Sequence, residues 1–294
     1  MIYVSPNVST VRGATEVVVH GDPLLLDTSN DAALVNGVPS GWTPSGNVRQ
    51  YSTQGLMLSA GSSSATLTSS TSFLHFDFAV DIDLFDPDAS AAVFEAATLE
   101  IVVGTSVARV SLKRYPDKTV QAEGSVTITG ITYPAGVVVV KDVIGQLTLR
   151  IVRTGEFVWG FIGRRDDLGR YSEVIPVMDY NQFVTGAAVP RIAVRNGTSA
   201  AGARTIFRNF TVRSHATING RLLENKLDAE LKRIVGNVPA AHLTEVGTAS
   251  IKAFGPWGVS ENVSGFEYTR PTPNTVSFDG TRSLITFTDP VLHD

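Results

Sequence analysis

Five aspartates fall within the sixteen residues Phe73–Asp88, FLHFDFAVDIDLFDPD. Asp77, Asp81 and Asp83 share one side of a two-residue repeat, and Phe76, Phe78, Val80, Ile82 and Leu84 share the other. Three kinds of chemistry fit such an acid face. Two carboxyl groups at i and i+2 of a strand stand about 7 Å apart, near the spacing used for acid–base work on a substrate. Asp86 and Asp88, with Ser90 in the following DPDAS, offer hard oxygen ligands of the kind calcium takes, although no complete calcium-loop motif surrounds them. The third reading is a solvated face that keeps an apolar strand soluble and discourages edge pairing. That last reading is carried forward, with no catalytic residue assigned and calcium at Asp86 and Asp88 kept as an alternative.

Other residues suit ligand binding. The charged stretch RRDDLGRY (Arg164–Tyr171) follows an aromatic-rich strand, and its Arg164, Asp166 and Tyr171 could hydrogen-bond the hydroxyls of a sugar. Trp42 and Trp257 sit in Gly/Pro-bearing segments and are expected to be exposed for stacking. Phe157, Trp159 and Phe161 alternate on one face of the preceding strand and are expected in the core. The five histidines are not spaced for metal ligation on one element and are expected at surface or boundary positions. No G-x-S-x-G elbow, phosphate-binding loop or dinucleotide fingerprint is present.

The whole chain sets bounds on these readings. It has 294 residues, 43% hydrophobic and 18% charged, a net charge of −4 and no cysteine. That composition is globular, rules out disulfides and Cys-ligated zinc, and gives no basic field for nucleic acid. No stretch approaches the roughly 20 apolar residues of a membrane helix, so no membrane insertion is expected. The opening MIYVSPNVSTVRG lacks the charge and apolar run of an export signal, which leads to the expectation of synthesis in a cytoplasm.

Apolar–polar alternation recurs at roughly 8–12-residue spacing through most of the chain, the pattern of a β-sandwich or jelly roll. The stretch 146–163 predicts a hairpin, with Leu147, Leu149 and Ile151 on one face of its first arm and the turn at RTGE. One segment reads differently. In GRLLENKLDAELKRIVGN (Gly220–Asn237), Leu223, Leu227, Leu231 and Ile234 recur at helical spacing, Gly236 suits the position after a helix, and Pro239 follows. That stripe is expected to pack on a small C-terminal module or on a neighbouring subunit. The fold class expected is mainly β: an antiparallel jelly-roll sandwich followed by one helix and a small β module. The domains expected are an N-terminal strand or arm over 1–21, a jelly roll over 22–214, and the helix with its β module over 215–294.

The jelly-roll segment resembles the concanavalin A-like, or laminin-G-like, superfamily. The resemblance rests on GWTPSGNVRQYSTQGLMLSAG (Gly41–Gly61), FDFAVDIDL (Phe76–Leu84), LTLRIVRTGEFVWGFIGRRDDLGRYSEV (Leu147–Val174) and the closing FRNFTVRS (Phe207–Ser214). It implies a two-sheet jelly roll and admits two functions. One is lectin-like glycan binding. The other is retaining glycoside hydrolysis, whose E-I-D-x-x-E strand motif is replaced here by DIDLFD (Asp81–Asp86), with shorter aspartates where the family has its outer glutamates. VSPNVSTVRGATEVVVHG (Val4–Gly21) also resembles the opening of a transcription-factor-type immunoglobulin module; it is read as an extra strand leading into the jelly roll.

A lectin-like fold normally works outside cells, and a cysteine-free chain without an export signal reaches the outside most simply as part of a virus particle. The expectation is therefore a bacteriophage virion structural protein of the tail, baseplate or head fibre. Its partners would be other virion proteins, copies of itself and a bacterial surface glycan. A stand-alone carbohydrate-binding module and a glycoside hydrolase are the alternatives.

Overall fold

The computed structural model describes residues 3–287 except 11–12, 14, 21–27, 30–40, 51–54, 61–63, 85–93, 116–118, 141–146, 166–170, 197–202, 226–233, 242, 256–259, 271–272 and 279–282. The described chain is nearly all β. It forms two compact units: unit 1 is Met1–Leu25, His215–Phe254 and Ser260–Asp294, and unit 2 is Leu26–Ser214 with Gly255–Val259.

The strands in chain order begin in unit 1 with β1 (Tyr3–Ser5), β2 (Val8–Thr10) and β3 (Glu16–His20). Unit 2 follows with β4 (Thr28–Ser29), β5 (Trp42–Ser45), β6 (Asn47–Gln50), β7 (Leu56–Ala60), β8 (Ala65–Ser69), β9 (Phe76–Leu84), β10 (Phe94–Val103), β11 (Ser106–Arg114) and β12 (Val120–Ile128). It continues with β13 (Ile131–Val140), β14 (Leu147–Thr154), β15 (Phe157–Arg165), β16 (Tyr171–Tyr180), β17 (Val189–Asn196) and β18 (Ala203–Arg213). Unit 1 resumes with β19 (His215–Ile218), β20 (Arg221–Leu222), β21 (Glu224–Asn225), β22 (Ile234–Asn237), β23 (Gly247–Phe254), β24 (Ser260–Thr269), β25 (Pro273–Phe278) and β26 (Ser283–Phe287).

Unit 2 is a two-sheet sandwich. One sheet has the order β13-β12-β11-β10-β17-β8-β5; the other runs β16-β15-β14-β9-β18-β7-β6, with β4 paired to β18. All the pairings within these two sheets are antiparallel. The first sheet supplies Leu99, Ile101, Val110 and Leu112 to the core, and the second supplies Phe76, Phe78, Val80, Leu149, Ile151 and Phe207. Alternation therefore decides which side of each strand is dry. The hairpin of β14 and β15 forms as the spacing predicts, closed at Gly155–Glu156 with Gly155 at φ 57°. At one margin β16 lies very close to the opposite sheet. A Cβ built on Gly124 would stand 2.2 Å from the Val177 carbonyl oxygen, and one on Gly136 would stand 2.6 Å from the same atom. Glycine is needed at both places for close approach.

Unit 1 has the sheets β1-β3-β22-β21 and β2-β24-β23-β19-β20, and a separate hairpin of β25 and β26. Its core joins Val4, Val17 and Val19 to Ala216, Ile218, Leu223, Ile234, Ile251, Phe266 and Tyr268. Two expectations are corrected here. Residues 1–21 are not a strand leading into the jelly roll: β3 pairs with β22, and β2 pairs in parallel with β24. Nor does a helix span 220–237. Both ends of that stretch are strands, with Ile234 opposite Val19 and Gly236 opposite Val17. Leu223 and Ile234 are buried in the core of their own unit rather than presented to another subunit. Leu227 and Leu231 lie outside the described residues. The strand that pairs with Ile234–Asn237 lies more than 200 residues upstream, where local periodicity cannot see it.

Candidate functional site

Strand β9 turns its apolar residues into the core and its acids to the other face, as its alternation dictates. That face is not a solvated one. Asp77 and Asp81 are fully buried, and each is held by named partners. Both oxygens of Asp77 accept hydrogen bonds from Arg150 of β14, Nε–H at 2.7 Å and Nη2–H at 2.8 Å. One oxygen of Asp81 accepts from the Thr148 hydroxyl at 2.5 Å and the other from the Asn209 amide at 2.8 Å. Asp83 pairs with Arg208 of β18. The wet-face reading is thereby corrected. A buried carboxylate is tolerable only with its charge compensated and its lone pairs filled, and neighbouring strands supply both. Asn209 sits at φ 50° in a bulge of β18 between Arg208 and Thr211, which turns its amide toward Asp81. The sequence signal for this ladder is opposite charge on alternating strands: Arg150 and Arg208 alternate with apolar residues as the aspartates do.

The same arrangement limits catalysis. A nucleophile or acid–base carboxyl must turn a free oxygen to its substrate. Asp77 and Asp81 have both oxygens engaged, and Asp83 is paired. Asp86 and Asp88, the calcium candidates, lie outside the described residues. Among the described residues no group of three or more His, Asp or Glu could hold a metal.

The aromatic triplet of β15 departs in part from its expected placement: Trp159 is buried, at 8% exposure, but not between the two sheets, while Phe157 is exposed and Phe161 half-buried. Val158 and Ile162 enter the core, so Phe157, Trp159 and Phe161 stand on the other face. Register sets Trp159 beside Val152 and Phe161 beside Arg150. The Arg150 guanidinium lies over the Phe161 ring at 5.3 Å while it grips Asp77. Phe157 is 41% exposed, and its ring stacks with that of Trp159 at 5.8 Å and 12°. Asp179 of β16 is exposed and stands opposite Trp159. Phe157 thus presents one exposed ring, backed by the buried Trp159, close to the exposed Asp179.

Arg153 fixes the end of the hairpin next to that ring. It donates to the carbonyls of Gly155, Val184 and Gly186 at 3.1, 2.8 and 2.7 Å, and it lies over Phe183 at 5.4 Å. Burial draws its guanidinium down to about 10. The group remains charged at neutral pH and spends its donors on backbone. The turn before Phe157 is thereby tied to the 183–186 segment, whose Phe183 N–H also donates to the Glu156 carbonyl of the turn at 2.9 Å.

The remaining candidates are dispersed. Trp42, expected to be exposed, is 7% exposed and packs edge-on against Phe210 in the core at 4.9 Å, so it offers no stacking surface. Thr43, Pro44 and Ser45 of β5 are all exposed, while Trp42 takes the inward position. Arg164 lies near the end of β15 and Tyr171 begins β16; Asp166 and Trp257 fall outside the described residues. His215, expected near the surface, is fully buried in unit 1 and stacks on Phe254 at 5.2 Å.

No family model and no curated protein matches the chain. Solved structures do resemble it. The carbohydrate-binding module CBM66 from Bacillus subtilis is 16% identical, with a TM-score of 0.41, over 59% of this chain and 95% of that one. The CBM2 module of the evolved Dit of Lactobacillus casei BL23 phage J-1 is 12% identical, with a TM-score of 0.45, over 72% and 96%. Lectin II from Ulex europaeus is 11% identical, with a TM-score of 0.46, over 66% and 100%. A β-glucanase and a transglycosylase are also among the similar structures. At such identities and scores, what this chain does rests on its own residues. No helix among the described residues is long and apolar enough to cross a membrane.

Proposed function

We propose that the chain is a non-enzymatic structural protein of a bacteriophage particle whose unit 2 binds a bacterial surface glycan. The observation that carries the glycan reading is the exposed Phe157, its ring stacked on the buried Trp159, with the exposed Asp179 opposite Trp159 in register. A sugar ring offers C–H bonds to an aromatic face and hydroxyls to a flanking carboxylate, and Phe157 and Asp179 are suited to these two parts. The engaged carboxylates of Asp77 and Asp81 favour binding over hydrolysis. Arg164, Asp166 and Tyr171 are the candidates for further polar contacts to a longer glycan. Trp257 is a further stacking candidate, and Asp86 and Asp88 are the calcium candidates. A cysteine-free β fold suits a protein made in a reducing cytoplasm and exposed outside on a tail, baseplate or head fibre. Copies of the chain and other virion proteins would be its partners in the particle.

The test is a bacterial-glycan array probed with the full chain, with and without calcium, beside Phe157→Ala. Phe157 is half-exposed, so the variant should keep its stability while losing roughly tenfold or more of its affinity, about 1.4 kcal/mol. A blank array from folded protein, or equal binding by Phe157→Ala, would sink the glycan reading. Mass spectrometry of purified particles tests the virion assignment separately: the chain must be present.

A further inference from the structure

Arg153 stands on the dry face of β14, where a cation is out of place. Its register partners are Val158 of β15 and Phe76 of β9, both core residues, and it is 1% exposed. Among the described residues no carboxylate meets it, and its donors go to the carbonyls of Gly155, Val184 and Gly186. A buried cation without a counter-ion is a poor source of stability, because an apolar side chain of similar length would fill the space without the cost of desolvation. What the guanidinium supplies is geometry. Its planar fork bonds two segments of chain at once, in directions that an apolar side chain cannot impose.

Those two segments frame Phe157. Gly155 and Glu156 form the turn immediately before it, and residues 183–186 follow the strand that carries Asp179. Gly155 and Gly186 have positive φ, 57° and 117°, and each accepts a hydrogen bond from Arg153 through its carbonyl. Phe183 closes the frame: it is buried in the core, the Arg153 guanidinium lies over its ring at 5.4 Å, and its N–H donates to the Glu156 carbonyl. The carbonyls of both residues that precede Phe157 are thus fixed, one by Arg153 and the other by Phe183. Phe157 itself is exposed, with its ring stacked on Trp159. A recognition ring on a free hairpin tip loses motion when a ligand binds. A ring on a turn that is already fixed loses less, and the difference appears as affinity.

We propose that Arg153 is a positioning residue for ligand binding: it ties the Gly155–Glu156 turn to residues 183–186 and so presents Phe157 in its binding geometry before a glycan arrives. The proposal rests on the glycan reading of Phe157. The full chain is compared as wild type, Arg153→Met, Arg153→Lys, Phe157→Ala and the double variant Arg153→Met with Phe157→Ala. Each is titrated over the bacterial-glycan array, and hydrogen exchange of the ligand-free proteins is read by mass spectrometry. The expected result is slow exchange in wild-type peptides covering 154–157 and 183–186, faster exchange there in Arg153→Met, and no change in β9 and β18. Affinity falls roughly tenfold in Arg153→Met and less in Arg153→Lys. It falls no further when Arg153→Met is added to Phe157→Ala, since Arg153 acts through Phe157. If Arg153→Met fails to fold, Arg153→Lys, which keeps the charge, takes its place, alone and with Phe157→Ala. Equal affinity of the wild type and the folded Arg153 variants, losses that add in full in the double variant, or fast exchange of both segments in the wild type overturns the proposal. A blank array sinks the glycan reading and this role with it, whereas Phe157-dependent binding that ignores Arg153 sinks this role alone.

Discussion

The aspartates of β9 show how far a residue's chemistry depends on what faces it. Asp77 and Arg150 are both buried and joined by two hydrogen bonds. Removing one charge of such a pair leaves the other buried without compensation. Asp77→Asn keeps the volume and should lower stability by about 3–5 kcal/mol in urea unfolding; a change within ~1 kcal/mol would contradict the pairing argument. Tyr268 makes a second residue-scale prediction, this one in pH. Burial foremost pushes its phenol up to about 12 from 10.0, with Arg221 opposing and Glu245 adding to the shift, and the hydroxyl donates to the Pro239 carbonyl at 2.9 Å. The folded state therefore keeps the proton after the unfolded chain has lost it. The stabilisation is complete below pH 10 and is lost as pH rises from 10 toward 12, by at most about 3 kcal/mol. Unfolding of unit 1 followed across that range should show this loss in the wild type and not in Tyr268→Phe.

At the scale of the element, register and close approach decide what a strand presents. Both arms of the β14–β15 hairpin alternate cleanly, yet only the first arm's dry face was legible. On β14 the even positions are polar or mixed, which marks Leu147, Leu149 and Ile151 as inward. On β15 both faces are apolar, Val158 and Ile162 against Phe157, Trp159 and Phe161, and a one-residue choice exchanges them. Pairing with β14 makes that choice. Close approach is equally invisible in the sequence. Gly124 has no unusual backbone angle to mark it, yet the Val177 carbonyl of β16 lies where its side chain would be. Gly124→Ala should cost roughly 1–3 kcal/mol by overpacking. Chemical denaturation of unit 2 checks it; an alanine that leaves the midpoint unchanged would mean that β16 does not pack as described.

At the scale of the molecule, unit 1 is assembled from three pieces of chain on either side of unit 2. Its core takes Val4, Val17 and Val19 from the first piece; Val17 and Val19 face β22 of the second piece, and β2 of the first pairs with β24 of the third. Deleting residues 1–21 should therefore unfold unit 1 and spare unit 2. Hydrogen exchange read by mass spectrometry would show β23 and β24 losing protection while β9, β14 and β18 keep theirs. Retained protection in β23 would show that the first piece is dispensable.

The sequence by itself determined the mainly β class, the inward faces of β9 and β14, and the absence of disulfides. Those features are local, set by alternation and composition. Only the tertiary structure decided the rest. The stretch 220–237 read as a helix from its leucine spacing, yet its described ends are strands, and the β3 partner of β22 is distant in sequence. The acid face read as wet because the arginines, threonine and asparagine that fill its lone pairs come from other strands. Charge, burial and stacking are properties of neighbours, and most of the neighbours here are brought together by sheet order rather than by proximity in the chain.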